Sequence, residues 1–335
     1  MKAKVGINGL GRIGRMILRS IFEEKHKNLK INHINNRTDI NTACDLIRRD
    51  SIHGKFKGKV YIKNNSLIIN GNKITYSQEN NLRDISWKKN NVDMVLECTG
   101  KFNSKEKLVS HIKNGAKKVI VSAPCKNADK TIVYGVNHKN IAIKDKIISA
   151  ASCTTNCLAP VVNVLNNNFG IEKGFMTTIH SYTTDQRMLD NSHKDPRRAR
   201  SAGQSIVPTS TGASRAIGEI IPSLKGKLEG VAMRVPTPNV SIVELVFLTK
   251  KELTIKKINS AFEKFSKNNK NKVLKITQEK LVSVDFNHDP ASSIVDANLT
   301  SVIGKNMGKI SAWYDNEWGF SNRMCDIAEY LRKIS

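Results

Sequence analysis

Cys153 stands in the segment ASCTTNC (residues 151–157), between Ser152 and Thr154, where an apolar, helix-like stretch, LAPVVNVLNNNF, takes over. A buried structural thiol needs neither the flanking hydroxyls nor a helix start, whereas a nucleophilic thiol uses both. Cysteine attacks as thiolate, and a helix N-terminus stabilises negative charge, so this placement predicts a lowered thiol pKa. Ser152 can cap the helix, and the free amides of its first turn could hold an oxyanion formed when the thiol adds to a carbonyl. Pro160 is the awkward residue: it removes one helical hydrogen bond and predicts a kink or a displaced helix start. Cys157, one turn further in, reads as a core thiol.

A thiol needs a base, and His180 in TTIHSYT is the candidate, because most other histidines lie in Lys/Asn-rich loop sequence. Taken alone, a histidine such as His180 is more often a satisfied strand histidine than a catalyst, and its hydroxyl-rich surroundings and the Cys153 helix favour the functional reading. Thr211 and Gly212 in PTSTGASRAIG open another expected helix, a second anion-binding signature. Arg234 in AMRVPTPN and the arginines of DPRRAR, Arg198 among them, could offer guanidinium forks to phosphate or be plain surface charges. A further phosphate cradle lies near the N-terminus. Gly9, Gly11 and Gly14 form GxGxxG between the strand-like KVGIN and a helix, the context in which glycines let backbone approach a pyrophosphate.

These residues need a frame, and the first half supplies strand–helix alternation. KVGIN, KINHIN, VDMVLEC, KKVIVSAP, TIVYGV and KIISA read as strands. RIGRMILRSIFEE, DINTACDLIRRD (capped by Thr38 or Asp39) and SKEKLVSHIKNG read as helices. KVYIKN, SLIING and KITYSQ read as a small antiparallel insertion. The expected fold is α/β: a doubly wound, mostly parallel Rossmann sheet. After Cys153 longer alternating runs (GFMTTIHSYT, LEGVAMRVP, VSIVELVFL, KISAWYDN) predict an α+β domain with a mainly antiparallel sheet covered by helices on one face. Between them, TDQRMLDNSHKDPRRARSAGQSIV lacks periodicity and is expected to be an ordered, functional loop. The final EWGFSNRMCDIAEYLRK is amphipathic and could pack back on the first domain.

Composition narrows the class. The 335 residues carry 55 Lys and Arg against 29 Asp and Glu, a net charge of +26. The lysines are dispersed through stretches such as KNNSLIINGNK and KNNKNKVLK and are not interleaved with aromatics, so a solvated basic surface is preferred over a nucleic-acid site. No apolar run reaches the roughly 20 residues of a membrane helix. The N-terminus enters a strand without a signal-peptide core, and six scattered cysteines without a CxxC pair argue against disulfides and zinc. A cytoplasmic protein without metal, membrane or specific nucleic-acid partner is expected.

The motifs together resemble one family. INGLGRIGR, ECTGKF, VSAP, SCTTNCLAP, TTIHSYT, DPRRAR, VPTSTGA, RVPTPNVS and WYDNEWGFSNR closely resemble those of the glyceraldehyde-3-phosphate dehydrogenases, in the family's order and across the chain from Val5 to Arg323. The resemblance implies a homotetramer with a dinucleotide-binding domain over residues 1–152, a catalytic domain over 153–316 and a returning C-terminal helix over 317–335. It implies Cys153 as nucleophile and His180 as its base, with Thr183 and Arg234 for the substrate's phosphate. Ser152, Thr154, Thr211 and Gly212 would serve the attacking inorganic phosphate, and Arg198 would serve both anion sites. Gly9, Gly11, Arg12, Ile13, Gly14, Ser122 and Asn316 would hold the cofactor, Asn316 beside the nicotinamide amide. The implied reaction runs from glyceraldehyde 3-phosphate through a thiohemiacetal and a thioester to 1,3-bisphosphoglycerate. Erythrose-4-phosphate dehydrogenase shares the cysteine and histidine, but it releases its product with water and does not need the VPTSTG phosphate site.

Four departures from the family pattern bear on function. Ala150 replaces a usual Asn and could loosen support under the nucleophile. At the end of the second strand Asn36 stands where NAD-specific sites place an acid that repels a 2′-phosphate, and Arg37 follows it. In the long loop Asn191-Ser192 replaces the Leu-Pro of NAD-specific relatives, where the loop reaches a neighbouring subunit's adenosine. Asp39 could bind the ribose instead, but it more plausibly caps the next helix. Asn80, where relatives carry an arginine, opposes the trend. The expectation is NAD or NADP as cofactor, with NADP used at least as well as NAD.

Overall fold

The computed structural model describes residues 2–24, 26–268 and 273–334. The basic stretch at 269–272 lies outside the described residues. The chain divides into two compact units. Residues 2–134, 138–152 and 321–334 make the first, and residues 135–137 and 153–320 make the second.

In the first unit, β1 (Ala3–Asn8) leads into α1 (Arg12–Glu23), β2 (Leu29–Asn35) and α2 (Ile40–Arg48). Asp39 is the cap of α2, its carboxylate accepting from the amides of Asn41 and Thr42. The short β3 (Arg49–Asp50) and β4 (Gly54–Lys55) pair with each other. The insertion is the meander β5 (Val60–Lys63), β6 (Ser66–Ile69) and β7 (Asn72–Ser77), antiparallel within itself. It is not a separate sheet, because β7 pairs in parallel with β2. Then follow β8 (Met94–Glu97), α3 (Lys105–Lys113), β9 (Lys118–Val121), β10 (Lys130–Thr131) and β11 (Ile147–Ser149). TIVYGV, expected as strand, contributes only Thr131 to one, and its remainder turns away from the ladder. The nine strands run β10-β11-β9-β8-β1-β2-β7-β6-β5, so β1 lies between β2 and β8 with all three parallel. This is the doubly wound order in which chain connections depart in opposite directions from β1, leaving a crevice beyond the strands' carboxyl ends.

The second unit begins with α4 (Cys153–Phe169), which runs unbroken through Pro160. The start is not displaced: Pro160 forfeits only the bond to the Asn156 carbonyl, and the helix from Thr154 to Val162 is buried all round. Next come β12 (Ile171–Ser181), the long loop, β13 (Val207–Ser210), α5 (Ala213–Ile220), β14 (Leu228–Val235) and β15 (Ser241–Thr249). After α6 (Ile255–Asn268) follow β16 (Leu274–Thr277), β17 (Ser293–Asp296), β18 (Ser301–Ile303) and β19 (Met307–Tyr314), and then α7 (Trp318–Ile334). The sheet runs β13-β14-β12-β15-β19-β17-β16 with β18 on β19. Strict alternation of buried and half-buried residues along β15 shows a sheet with one covered face, packed by α4, α5 and α6. Most pairs are antiparallel, but β12 and β14 are parallel, a detail that the alternation alone could not show. From Ser321 onward α7 packs in the first unit, where Asn322 Oδ1 accepts from Ser20 Oγ at 2.9 Å.

Candidate active site

Cys153 is the first residue of α4, and its Sγ lies 3.5 Å from Nε2 of His180, the penultimate residue of β12. The parallel register of β12 on β14 sets His180 directly beside Arg234. Arg234 Nη1 is 2.7 Å from His180 Nδ1 and 3.2 Å from the Ser181 carbonyl, which is itself 2.7 Å from Nδ1. A carbonyl can only accept and a guanidinium can only donate, so Nδ1 stands between two groups with opposite demands. With its proton on Nδ1, the ring presents a bare Nε2 that can take the thiol's proton. With Arg234 bonded to Nδ1, the ring carries its proton on Nε2 and can donate to a thiolate. A second proton on the ring is opposed in both cases. Burial first, and then the Arg234 charge, push His180 down to about 3.

The thiol corrects the sequence expectation. Burial raises the Cys153 pKa instead of lowering it, because the cost of placing charge in this site outweighs the helix start. Arg234 and the amide and hydroxyl of Thr154 pull the other way, so the groups that favour a thiolate are present but offset. Cys157 is fully buried and raised well above an ordinary thiol, in keeping with a core role.

Around the pair, the expected anion ligands are partly committed. Thr154 turns its hydroxyl to Tyr314 Oη at 3.0 Å, and the same Oη meets Thr178 Oγ1 at 2.9 Å. Thr183 donates its hydroxyl to Gln186 Oε1 at 3.1 Å. Arg198 is ion-paired with Asp185 and, through Nε at 3.2 Å, with Asp195. Gly212 caps α5, and Thr211 Oγ1 accepts from the Ala213 amide at 3.2 Å. Ser152 immediately precedes α4. Ala150, which lacks the usual Asn side chain, is fully buried, with its N–H on the Val121 carbonyl. Tyr314, Gln186 and Asp185 were missed in the sequence reading. Gln186 and Asp185 sit in the aperiodic loop, and Tyr314 looks like one more strand aromatic.

The first unit holds a crevice of about 570 Å³ lined by Asn8, Gly9, Gly11, Asn36, Arg37 and Thr99, among others. Gly9 has φ +95°, and a Cβ on Gly14 would lie 1.9 Å from the Gly9 carbonyl oxygen, so both positions require glycine. A Cβ on Gly11 would meet nothing within 4 Å and would point into open space. This is a floor that backbone can offer to a pyrophosphate, and the crevice fits a dinucleotide. Asn36 Oδ1 accepts the Leu10 amide at 3.0 Å, and its Nδ2 donates to Tyr76 Oη at 3.2 Å, tying the end of β2 to the glycine turn. Arg12 is held by Asp50 through two nitrogens, which commits its guanidinium within the first unit. Asp50 in turn is held well below the carboxylate range by Arg12 and the His53 and Ile52 amides, against the cost of burial. Ile13 is half-exposed at the start of α1, and Ser122 follows β9 with its amide on the Glu97 carbonyl. Ser192 is on the exposed long loop of the second unit, its carbonyl receiving Arg187. Asn316 is buried in the second unit, bonded to Ser181 and Ser241.

A doubly wound unit with a glycine cradle, and a second unit carrying a paired thiol and imidazole beside a half-buried arginine, define the class: dinucleotide-dependent oxidoreductases that work through cysteine. Two family descriptions match: "Glyceraldehyde 3-phosphate dehydrogenase, NAD binding domain" over residues 3–105 and "Glyceraldehyde 3-phosphate dehydrogenase, C-terminal domain" over 152–316. Relatives named glyceraldehyde-3-phosphate dehydrogenase include one from Cereibacter sphaeroides, 50% identical over 334 residues and the whole of both chains. One from Zymomonas mobilis is 48% identical over 99% of each chain. One from Geobacillus stearothermophilus is 48% identical over 99% of this chain and 98% of its own. The chain belongs to the glyceraldehyde-3-phosphate dehydrogenase family.

Proposed function

We propose that this chain oxidises glyceraldehyde 3-phosphate in the presence of inorganic phosphate and a nicotinamide dinucleotide, giving 1,3-bisphosphoglycerate. The observation that carries the reading is the 3.5 Å approach of Cys153 Sγ to His180 Nε2 beside Arg234. Cys153 attacks the aldehyde carbon, giving a thiohemiacetal whose hydroxyl proton passes to His180 Nε2. When bound in the crevice, the nicotinamide supplies the hydride acceptor. The resulting thioester on Cys153 is attacked by a phosphate oxygen, and the carbon–sulfur bond breaks to return the thiolate. Arg234 and Thr183 hold the substrate's phosphate. Arg234 Nε is a buried donor without a hydrogen-bond partner, which suits an anion site. Thr211, Gly212, Ser152, Thr154 and Arg198 serve the attacking phosphate, Arg198 by exchanging an aspartate for it.

The cofactor reading is that NADP serves at least as well as NAD. Asn36 places no carboxylate at the end of β2, and Arg37 is an exposed cation lining the crevice without an ion pair among the described residues. Ser192 of a neighbouring copy would add a hydroxyl in the proposed homotetramer. Apolar residues on one face of the second sheet, the exposed Phe175 and the half-buried Ile242 and Trp313 among them, offer a surface for that assembly. A sedimentation mass of one 37.4 kDa chain would contradict the tetramer. No helix among the described residues is long and apolar enough to cross a membrane.

Initial rates test the reaction and the cofactor together. Turnover is expected to require inorganic phosphate, and equal turnover without it, with preference for the four-carbon sugar, would reject the phosphorylating reaction. A kcat/KM for NAD above that for NADP by more than about a hundredfold, about 2.7 kcal/mol, would show that Arg37 and Ser192 do not act on a 2′-phosphate.

A further inference from the structure

Asn316 lies between β19 and α7 and is only 5% exposed. Its Oδ1 is 2.9 Å from Ser181 Oγ and 2.9 Å from Ser241 Oγ. Ser241 Oγ also meets the backbone N–H of Ser181 at 3.1 Å. An N–H can only donate, so Ser241 Oγ accepts there and its single proton is left for Asn316. The structure sets the carboxamide oxygen to receive it, and the same oxygen receives the Ser181 hydroxyl. Two hydroxyl donors on Oδ1 fix which way the amide faces and leave the protons of Nδ2 to other partners.

Ser241 is held in place at a cost. The residue before it, Val240, has φ +67°, a left-handed conformation that a β-branched residue rarely adopts. Such backbone persists where the surroundings over-determine it, and it collects at functional sites. Val240 is buried in a cluster with Phe286, Ala291 and Ile294, and Ser241 opens β15 in register with Tyr314 on β19. Ser181 joins this arrangement to the reacting pair: its carbonyl meets His180 Nδ1 and its hydroxyl meets Asn316. The proposed mechanism gives neither serine hydroxyl a step.

We propose that Ser241, together with Ser181, is a positioning residue that locks the Asn316 carboxamide so that its NH₂ is presented to the carboxamide of the nicotinamide ring. This rests on the reading above that Asn316 meets the nicotinamide amide. A primary carboxamide offers a carbonyl acceptor, so an NH₂ fixed in one direction selects it, whereas a carboxamide free to flip loses that selection.

The test compares binding of NAD and of ADP-ribose, which lacks the nicotinamide, by calorimetry on the full chain. Ser241→Ala and Asn316→Ala are each expected to weaken NAD about tenfold while leaving ADP-ribose within about twofold, and the double variant adds little. Iodoacetamide alkylation of Cys153 in Ser241→Ala stays at the parent rate. Should Ser241→Ala fail to fold, Ser181→Ala carries the same comparison. Equal weakening of NAD and ADP-ribose would show a merely structural role and overturn the proposal. Weakening in Asn316→Ala but not in the serine variants would overturn it while sparing the Asn316 reading. No loss in Asn316→Ala would overturn that reading and the proposal with it.

Discussion

Arg234 changes what His180 can do. Burial, and then a guanidinium 2.7 Å from an imidazole nitrogen, keep the ring neutral, and a neutral ring can take a proton from a thiol or a hydroxyl. Residue types and order pointed to Cys153, His180 and Arg234, because hydroxyls around a cysteine and a histidine in a strand are local signals. The direction of the thiol's shift was not local. It depends on how deeply the pair is buried, which only the packed chain determines. A second buried histidine, His33, follows the same physics: burial lowers it from 6.5 to about 4. As pH falls below 6.5, the unfolded chain takes a proton that the native form refuses, so stability is lost from 6.5 down towards 4. The full span amounts to about 3 kcal/mol. His180 adds to the loss in the same direction, while in His33→Asn the His33 share is absent. Thermal midpoints measured from pH 7.5 to pH 5 should fall for the parent and fall less for His33→Asn; parallel curves would refute this account of His33.

The second sheet sets His180 beside Arg234, and the glycine turn shapes the crevice of the first unit. Gly11 and Gly14 are both written in GxGxxG, yet the structure separates their roles. A methyl on Gly14 collides with the Gly9 carbonyl, while one on Gly11, a residue that lines the crevice, meets no protein atom within 4 Å. Gly14→Ala should therefore lose both stability and ADP-ribose binding. Gly11→Ala should keep its thermal midpoint within about 2 °C and still lose ADP-ribose binding about tenfold or more. Equal affinity in Gly11→Ala would place the pyrophosphate elsewhere. The strand–helix alternation of the first half was legible because apolar periodicity is a short-range signal. The parallel pairing of β12 with β14, which sets His180 beside Arg234, was not legible, since register between strands 54 residues apart leaves no local trace. The bond from Ser181 to Asn316 spans 135 residues and was invisible for the same reason. Pro160 misled because a proline rule describes an isolated helix, whereas α4 is buried along most of its length.

The whole molecule divides the task between a unit that cradles a dinucleotide and a unit that carries the reacting pair. A chain with a net charge of +26 will gather anions in general, which suits phosphorylated substrates without selecting among them. In the proposed reaction, selection falls to Arg234 and its neighbours, and the chemistry falls to Cys153. The most direct test mixes enzyme with glyceraldehyde 3-phosphate and oxidised cofactor in phosphate-free buffer, quenches with acid, and maps the peptides by mass. The account predicts a 3-phosphoglyceroyl thioester on the peptide bearing Cys153, absent from the other five cysteines and removed when inorganic phosphate is added before the quench. Turnover without that adduct, or an adduct on a different cysteine, would contradict it.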